Sequence, residues 1–116
     1  MKGRISSRMA GASPLFEHLE ARFSPTNVKA PITWYFSLGE GSDDKWTLSV
    51  TGEAVRFYPG KPQGGAQADC VLKTDVRTFE RMVREGYVPS MAEFMSGKVK
   101  TNNPQHLFSF KSIFSL

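Results

Sequence analysis

The sequence predicts an α+β domain built on a five-stranded sheet. Five segments alternate apolar and polar residues with the period of two that half-buried strands require. Other segments carry apolar residues at helical spacing, and these make three to four helices. Short glycine-containing turns join the first three strands, which makes those strands antiparallel neighbours. At 116 residues the chain is one domain by length, large enough to bury a core without disulfides or metal.

The elements follow in order. Residues 1–13 are small, polar and basic, and are expected to form a flexible tail ahead of a domain over 14–116. Pro14 suits the first turn of a helix capped by Ser13. Leu15, Phe16, Leu19 and Phe23 give that helix one apolar stripe, and Ser24 and Pro25 end it. Ile32, Trp34, Phe36 and Leu38 form the inward set of the first strand. Trp46, Leu48 and Val50 form that of the second, and after the turn at Gly52–Glu53, Val55 and Phe57 continue on a third. Ala68, Cys70 and Leu72 mark a fourth strand beyond a Pro- and Gly-containing loop.

Asp75 is a helix cap by type, and Val76, Phe79, Met82 and Val83 make the apolar face of the helix that follows. Gly86 stops it. A short helix starts near Pro89 or Ser90: Pro89 suits a first helical position, while Ser90 with Glu93 has capping-box spacing. Gly97 ends this helix, and Lys98–Lys100 reads as a short fifth strand. Asn103 and Pro104 open the last helix as cap and first residue. Its residues Leu107, Phe108, Phe110, Ile113, Phe114 and Leu116 are apolar around most of the circumference. Such a helix must be covered, or must cover something.

Charge and composition exclude several function classes. The formal charge is +4, but Lys2, Arg4 and Arg8 lie in the tail, leaving twelve basic and eleven acidic residues in the rest. A nearly neutral body argues against the clustered cations that track a nucleic-acid backbone, so no nucleic-acid partner is expected. The single cysteine, Cys70, sits in an apolar strand pattern, where a thiol packs as a small hydrophobe. No run is long enough to cross a membrane, and the N-terminus lacks the apolar stretch of a secretory signal, so the expected location is cytoplasmic.

Catalytic chemistry is poorly supplied. His18 and His106 fall in different helices, and neither has a partner at zinc-ligand spacing. The adjacent Asp43 and Asp44 sit in a loop, where turn formation and solvation account for them. The loop from Gly60 to Gly65 holds a lysine but lacks the Gly-Lys-Ser/Thr ending of a phosphate cradle. No Ser, His and Asp are ordered as a nucleophile elbow. The expectation is a non-catalytic protein with no cofactor.

What the second half does supply is large, flexible apolar side chains. Nine of the fourteen aromatics are Phe, which brings area without a polar handle. Met fills irregular spaces and adapts to varied apolar surfaces. A stripe such as Met82, Met91, Phe94 and Met95 can be ordinary core or the wall of a cavity, and the residues alone leave both open.

From Ala68 onward the chain resembles the sterol carrier protein 2 family. Ala68-Asp69 opens a strand, a helix with Phe79 ends in Gly86, and Ala92, Phe94 and Gly97-Lys98-Val99 follow at that family's spacing. The earlier half agrees through the strand with Trp46, the turn at Gly52 and the strand with Val55 and Phe57, so the resemblance covers roughly residues 14–116. No single piece is specific; the ordered combination carries the likeness. Two departures stand out. The family often has a glycine after the last strand, where this chain has Thr101-Asn102-Asn103-Pro104. The chain also ends Phe114-Ser115-Leu116, not in a peroxisomal signal.

The resemblance implies a largely antiparallel five-stranded sheet, with helices packed over one face around an apolar tunnel. It implies binding or carriage of a fatty acid, fatty acyl thioester or sterol-like molecule, with at most transient membrane contact. The candidate ligand-binding residues on the strands are Trp34, Phe36, Trp46 and Phe57. Those on the helices are Phe79, Met82, Met91, Phe94, Met95, Phe108 and Phe114. The last helix, tethered at one end, is read as the gate of such a cavity, with a structural plug of the core as the alternative. The alternative is an interaction or accessory module that forms a homodimer or assists a partner enzyme, its cavity small or filled by its own side chains.

Overall fold

The computed structural model describes residues 13–41 and 44–116. Residues 1–12 of the basic tail, and Asp43 of the acidic pair, lie outside the described residues. The elements are α1 (Ser13–Ala21), β1 (Ile32–Ser37), β2 (Lys45–Val50), β3 (Val55–Pro59), β4 (Cys70–Lys73), α2 (Val76–Glu85), α3 (Met91–Ser96), β5 (Lys100–Thr101) and α4 (Gln105–Ile113). Short 3-10 turns occupy Pro25–Asn27 and Gln63–Gly65.

The strands form one sheet in the order β3-β2-β1-β4-β5. Three of its pairings are antiparallel, and β1 with β4 is parallel. That one parallel pair arises because the 60–69 connection carries the chain from β3 past β2 and β1 before β4 begins. The register puts one apolar face together: Trp34 lies opposite Leu48 and Cys70, and Phe36 opposite Trp46 and Leu72.

Helices α1, α2 and α4 cover that face with aromatic rings. Phe16 of α1 packs against Trp46, Phe79 and Phe36, with ring centroids 5.0, 5.4 and 5.6 Å away. Phe79 of α2 sits 4.9 Å from Phe36, and Phe110 of α4 sits 5.6 Å from Trp34. Edge and tilted contacts at these spacings suit the ring quadrupole and add to the area buried. Trp34, Phe16, Phe36, Phe79 and Phe114 are fully buried. The space between helices and sheet is therefore filled by side chains of the chain itself.

Local chemistry explains the element ends. The Asp75 carboxylate accepts from the Thr78 N–H at 2.7 Å, capping α2. Ser90 and Glu93 form the full capping box of α3, so Ser90 is the cap and Pro89 stands outside the helix. Gly86 and Gly97 end α2 and α3 in the left-handed region, at φ 69° and 86°, where a side chain is strained. At the end of α4 the Ser112 and Ile113 carbonyls accept from Asn27 Nδ2 and the Ser24 N–H, at 2.9 and 2.7 Å.

Several boundaries differ from expectation, and the fourth strand begins at Cys70, beyond Ala68. The first helix stops at Ala21, and Phe23 lies in the turn beyond it. The fifth strand is Lys100–Thr101, not Lys98–Lys100. The Lys98 and Val99 N–H groups donate to the Glu93 carbonyl at 3.0 and 3.2 Å, closing the end of α3 instead of pairing with β4. Helix α4 starts at Gln105, with Pro104 at the cap position.

Candidate functional site

A cavity of about 230 Å³ opens on the side of α4 that faces α3. Met82 of α2 and the connection Tyr87-Val88-Pro89 form one wall, and Met91 and Phe94 of α3 a second. The third comes from α4 and its flanks, through Pro104, Leu107, Phe108, Phe110, Lys111 and Leu116. Only Lys111 among these is charged.

The lining divides into a fixed floor and an exposed rim. Met82 and Phe110 are buried and belong to the core. Val88, Met91 and Phe108 are 48%, 74% and 65% exposed, well above what large apolar side chains in a closed interior show. Helix α4 has two roles as a result. Phe110, Ile113 and Phe114 plug the core, while Leu107, Phe108 and Lys111 wall the cavity. Phe110 does both, which ties this helix to the core as well as to the cavity.

A polar scaffold holds the α2–α3 wall in place. The Arg81 guanidinium lies 3.9 Å from the centre of the Tyr87 ring, a cation–π contact. The Tyr87 hydroxyl donates to the Glu93 carboxylate in a short hydrogen bond. The same carboxylate accepts from the Ser90 N–H at 2.9 Å and lies 3.8 Å from Lys98 Nζ. The Tyr87 hydroxyl, and then the Ser90 N–H, hold the Glu93 carboxyl below its usual range, and the same bond pushes the Tyr87 phenol up. Tyr87 therefore lines the cavity while its hydroxyl is spent on the scaffold.

Elsewhere polar groups are scarce or committed. Burial pushes the Cys70 thiol up, which keeps it unreactive; its sulfur lies 3.4 Å from Thr101 Oγ1. The Trp34 indole N–H is buried with no hydrogen-bond partner among the described residues. Among the described residues no cluster of three His, Cys, Asp or Glu could hold a metal, and no helix is long and apolar enough to cross a membrane. A wider hollow of about 640 Å³ lies on the other side of α4, with Asn27, Lys29, Asp69 and His106 in its wall. It has the greater volume, but its mixed polar wall suits water better than an apolar ligand.

Of the residues singled out from sequence, Met82, Met91, Phe94 and Phe108 meet at the 230 Å³ cavity. Trp34, Phe36, Trp46, Phe79 and Phe114 lie in the packed core, and Phe57 packs against it. Met95 is 80% exposed and outside the lining. The lining also uses Tyr87, Val88, Pro89 and Lys111, which sequence reasoning did not select. For Tyr87, Val88 and Pro89 the signal was positional: they lie between Gly86 and the α3 cap, where a connection has to bridge two helices.

A sequence search of curated proteins finds no match. Solved structures share the fold. The stereoselective inverting sec-alkylsulfatase Pisa1 from Pseudomonas sp. superposes with a TM-score of 0.73 at 16% identity, over 93% of this chain. This chain spans 17% of that enzyme's length. Sterol carrier protein 2 from Yarrowia lipolytica, in its apo form, gives 0.58 at 16% identity, covering 93% of this chain and 95% of that one. Sterol carrier protein-2 like-3 from Aedes aegypti gives 0.58 at 13%, covering 91% and 98%. The five-stranded α+β architecture is thus one that stands alone in some proteins and forms a part of a larger one in another. In sequence, residues 16–102 match the SCP-2 sterol transfer family, and the chain belongs to it.

Proposed function

We propose that this domain binds and carries an apolar or amphipathic lipid without catalysing its conversion. The ligand is a fatty acid, a fatty acyl thioester or a sterol-like molecule, and its apolar part enters the cavity between α2, α3 and α4. One observation carries this reading. The cavity is apolar except for Lys111, and its rim leaves Val88, Met91 and Phe108 exposed to water. Membership of a sterol transfer family supports it.

The volume sets a condition. About 230 Å³ is below the roughly 300–1,000 Å³ of common ligand pockets, so a long chain must displace lining side chains. Met82 and Met91 are suited to this, since Met changes rotamer at little cost and remains a good apolar contact. Rearrangement draws on binding energy, so micromolar affinity is expected rather than nanomolar. Native mass spectrometry of the purified protein should show a co-purified lipid, and a fluorescent fatty acid analogue should bind at low micromolar concentration. No retained lipid, together with no binding of fatty acid or sterol analogues, contradicts the reading.

A second reading has its own support. The same fold occupies a small share of the sec-alkylsulfatase, and the interior beneath the helices is filled. Both suit an accessory module that assembles with a partner enzyme or a second copy through the exposed apolar residues. Light scattering after size exclusion separates the two. A strict monomer that retains lipid supports carriage, and a lipid-free dimer supports assembly.

A further inference from the structure

Lys111 is the charged exception in an apolar cavity, and its surroundings explain what it can select. It lies in the last turn of α4, half-buried. Its ammonium donates to the Gly86 carbonyl at 3.2 Å. Gly86 is the C-terminal cap of α2 and precedes Tyr87 in the cavity wall, so the charge sits at the cavity's edge, against a helix end that favours cations. Gly86 leaves this corner open: a Cβ there would meet the Leu116 main chain at 3.3 Å and Lys111 Nζ at 3.9 Å.

The charged side chains of the α2–α3 wall are already matched. Arg81 lies 3.8 Å from Glu85 and covers the Tyr87 ring. Glu93 is held by Tyr87, Ser90 and Lys98. Lys111 makes no ion pair among the described residues, and an ammonium has three donors, of which the Gly86 carbonyl takes one. A half-buried cation with free donors beside an apolar cavity fits a molecule with the complementary division: an apolar tail and an anionic head.

We propose that Lys111 is a specificity-determining residue that selects amphiphiles with an anionic head, such as a carboxylate, over neutral amphiphiles with the same tail. This rests on the cavity being the lipid site. The tail lies among Met82, Met91, Phe94, Leu107 and Phe108, and the head accepts from the Lys111 ammonium. A hydroxyl can also accept from the ammonium, but a carboxylate adds the attraction of opposite charges in a half-buried setting, so the selectivity is expected to reach about fivefold to tenfold.

The test uses one tail with three heads: decanoate, decanol and decyltrimethylammonium, titrated calorimetrically into the whole chain below micelle concentrations. The expected order of affinity is decanoate, then decanol, then decyltrimethylammonium. Lys111→Met should weaken decanoate about fivefold to tenfold more than it weakens decanol, while Lys111→Arg keeps the preference. The wild-type series needs no variant, so it decides the matter even if Lys111→Met fails to fold. Equal affinity for decanoate and decanol, or a preference that survives in folded Lys111→Met, overturns the role of Lys111 while the cavity reading stands. If neither decanoate nor decanol binds, the lipid site itself is refuted and the role of Lys111 with it.

Discussion

The two sides of α4 are built from the same kinds of residue and do different work. Toward the sheet, Phe110 and Phe114 meet Trp34, Phe36 and Phe79, and these side chains are at most 2% exposed. Toward α3, Leu107 and Phe108 face Met91 and Phe94 across open space, and Phe108 is 65% exposed. The sheet side is closed because a wide, fixed surface offers every ring a partner. The α3 side is open because a helix of six residues, followed at once by Gly97, cannot cover its neighbour. An apolar surface that none of the described residues covers is available to a ligand.

The largest effect should come from setting the two sides against each other. Phe110→Ala removes a ring from the core and is expected to cost about 3–5 kcal/mol. Phe108→Ala should change stability by less than about 0.5 kcal/mol, yet weaken lipid binding. Denaturant unfolding with a binding titration on each variant measures both. Equal destabilisation by the two would erase the distinction between the sides.

A smaller effect is expected at the wall. Ser90→Ala removes the cap of α3 and should cost about 0.5–2 kcal/mol, with a loss of lipid affinity. The same unfolding and titration curves read it, and unchanged affinity would mean that α3 does not shape the site. Smaller again is the change in the core at Trp34. Its indole N–H is buried without a partner among the described residues, so Trp34→Phe gives up area but also relieves an unmet donor. The expected cost is below about 1.5 kcal/mol, with binding unaffected.

The smallest effect is with pH. The folded state holds the Glu93 carboxyl below its ordinary value, chiefly through the Tyr87 hydroxyl and the Ser90 N–H. Its contribution is therefore complete above the usual carboxylate range and is lost as pH falls through the lowered value. Melting temperatures of wild type and Glu93→Gln should differ near neutrality and converge in acid. A gap that does not change with pH would contradict this.

Much of the architecture was legible in the sequence because a period of two and a period of 3.6 are hard to confuse over long segments. The alternation through Trp34 and Phe36, and again through Trp46 and Leu48, gave the buried face directly. The Asp75 cap and the stops at Gly86 and Gly97 followed from local hydrogen bonding and backbone geometry, whereas the sequence left Pro89 and Ser90 both open as the start of α3. Periodicity could not say which Phe is core and which lines a cavity, because Phe79 and Phe108 obey the same rule. That difference depends on what each residue meets across the fold. Lys111 escaped notice for the same reason: in the sequence it is one more basic residue near a helix end. The short fifth strand was misplaced by a residue or two because α3 draws the Lys98 and Val99 donors back to its own end.

The most direct test follows the methionine methyl groups by NMR while decanoate is added to methyl-labelled protein. Met82 and Met91 line the cavity, whereas Met95 is exposed on the same short helix as Met91 but lies outside the lining. Binding in the cavity predicts saturable shifts at Met82 and Met91 and little change at Met95. Shifts confined to Met95, or none at Met82 when the titration is complete, would contradict the cavity as the site where lipid is held.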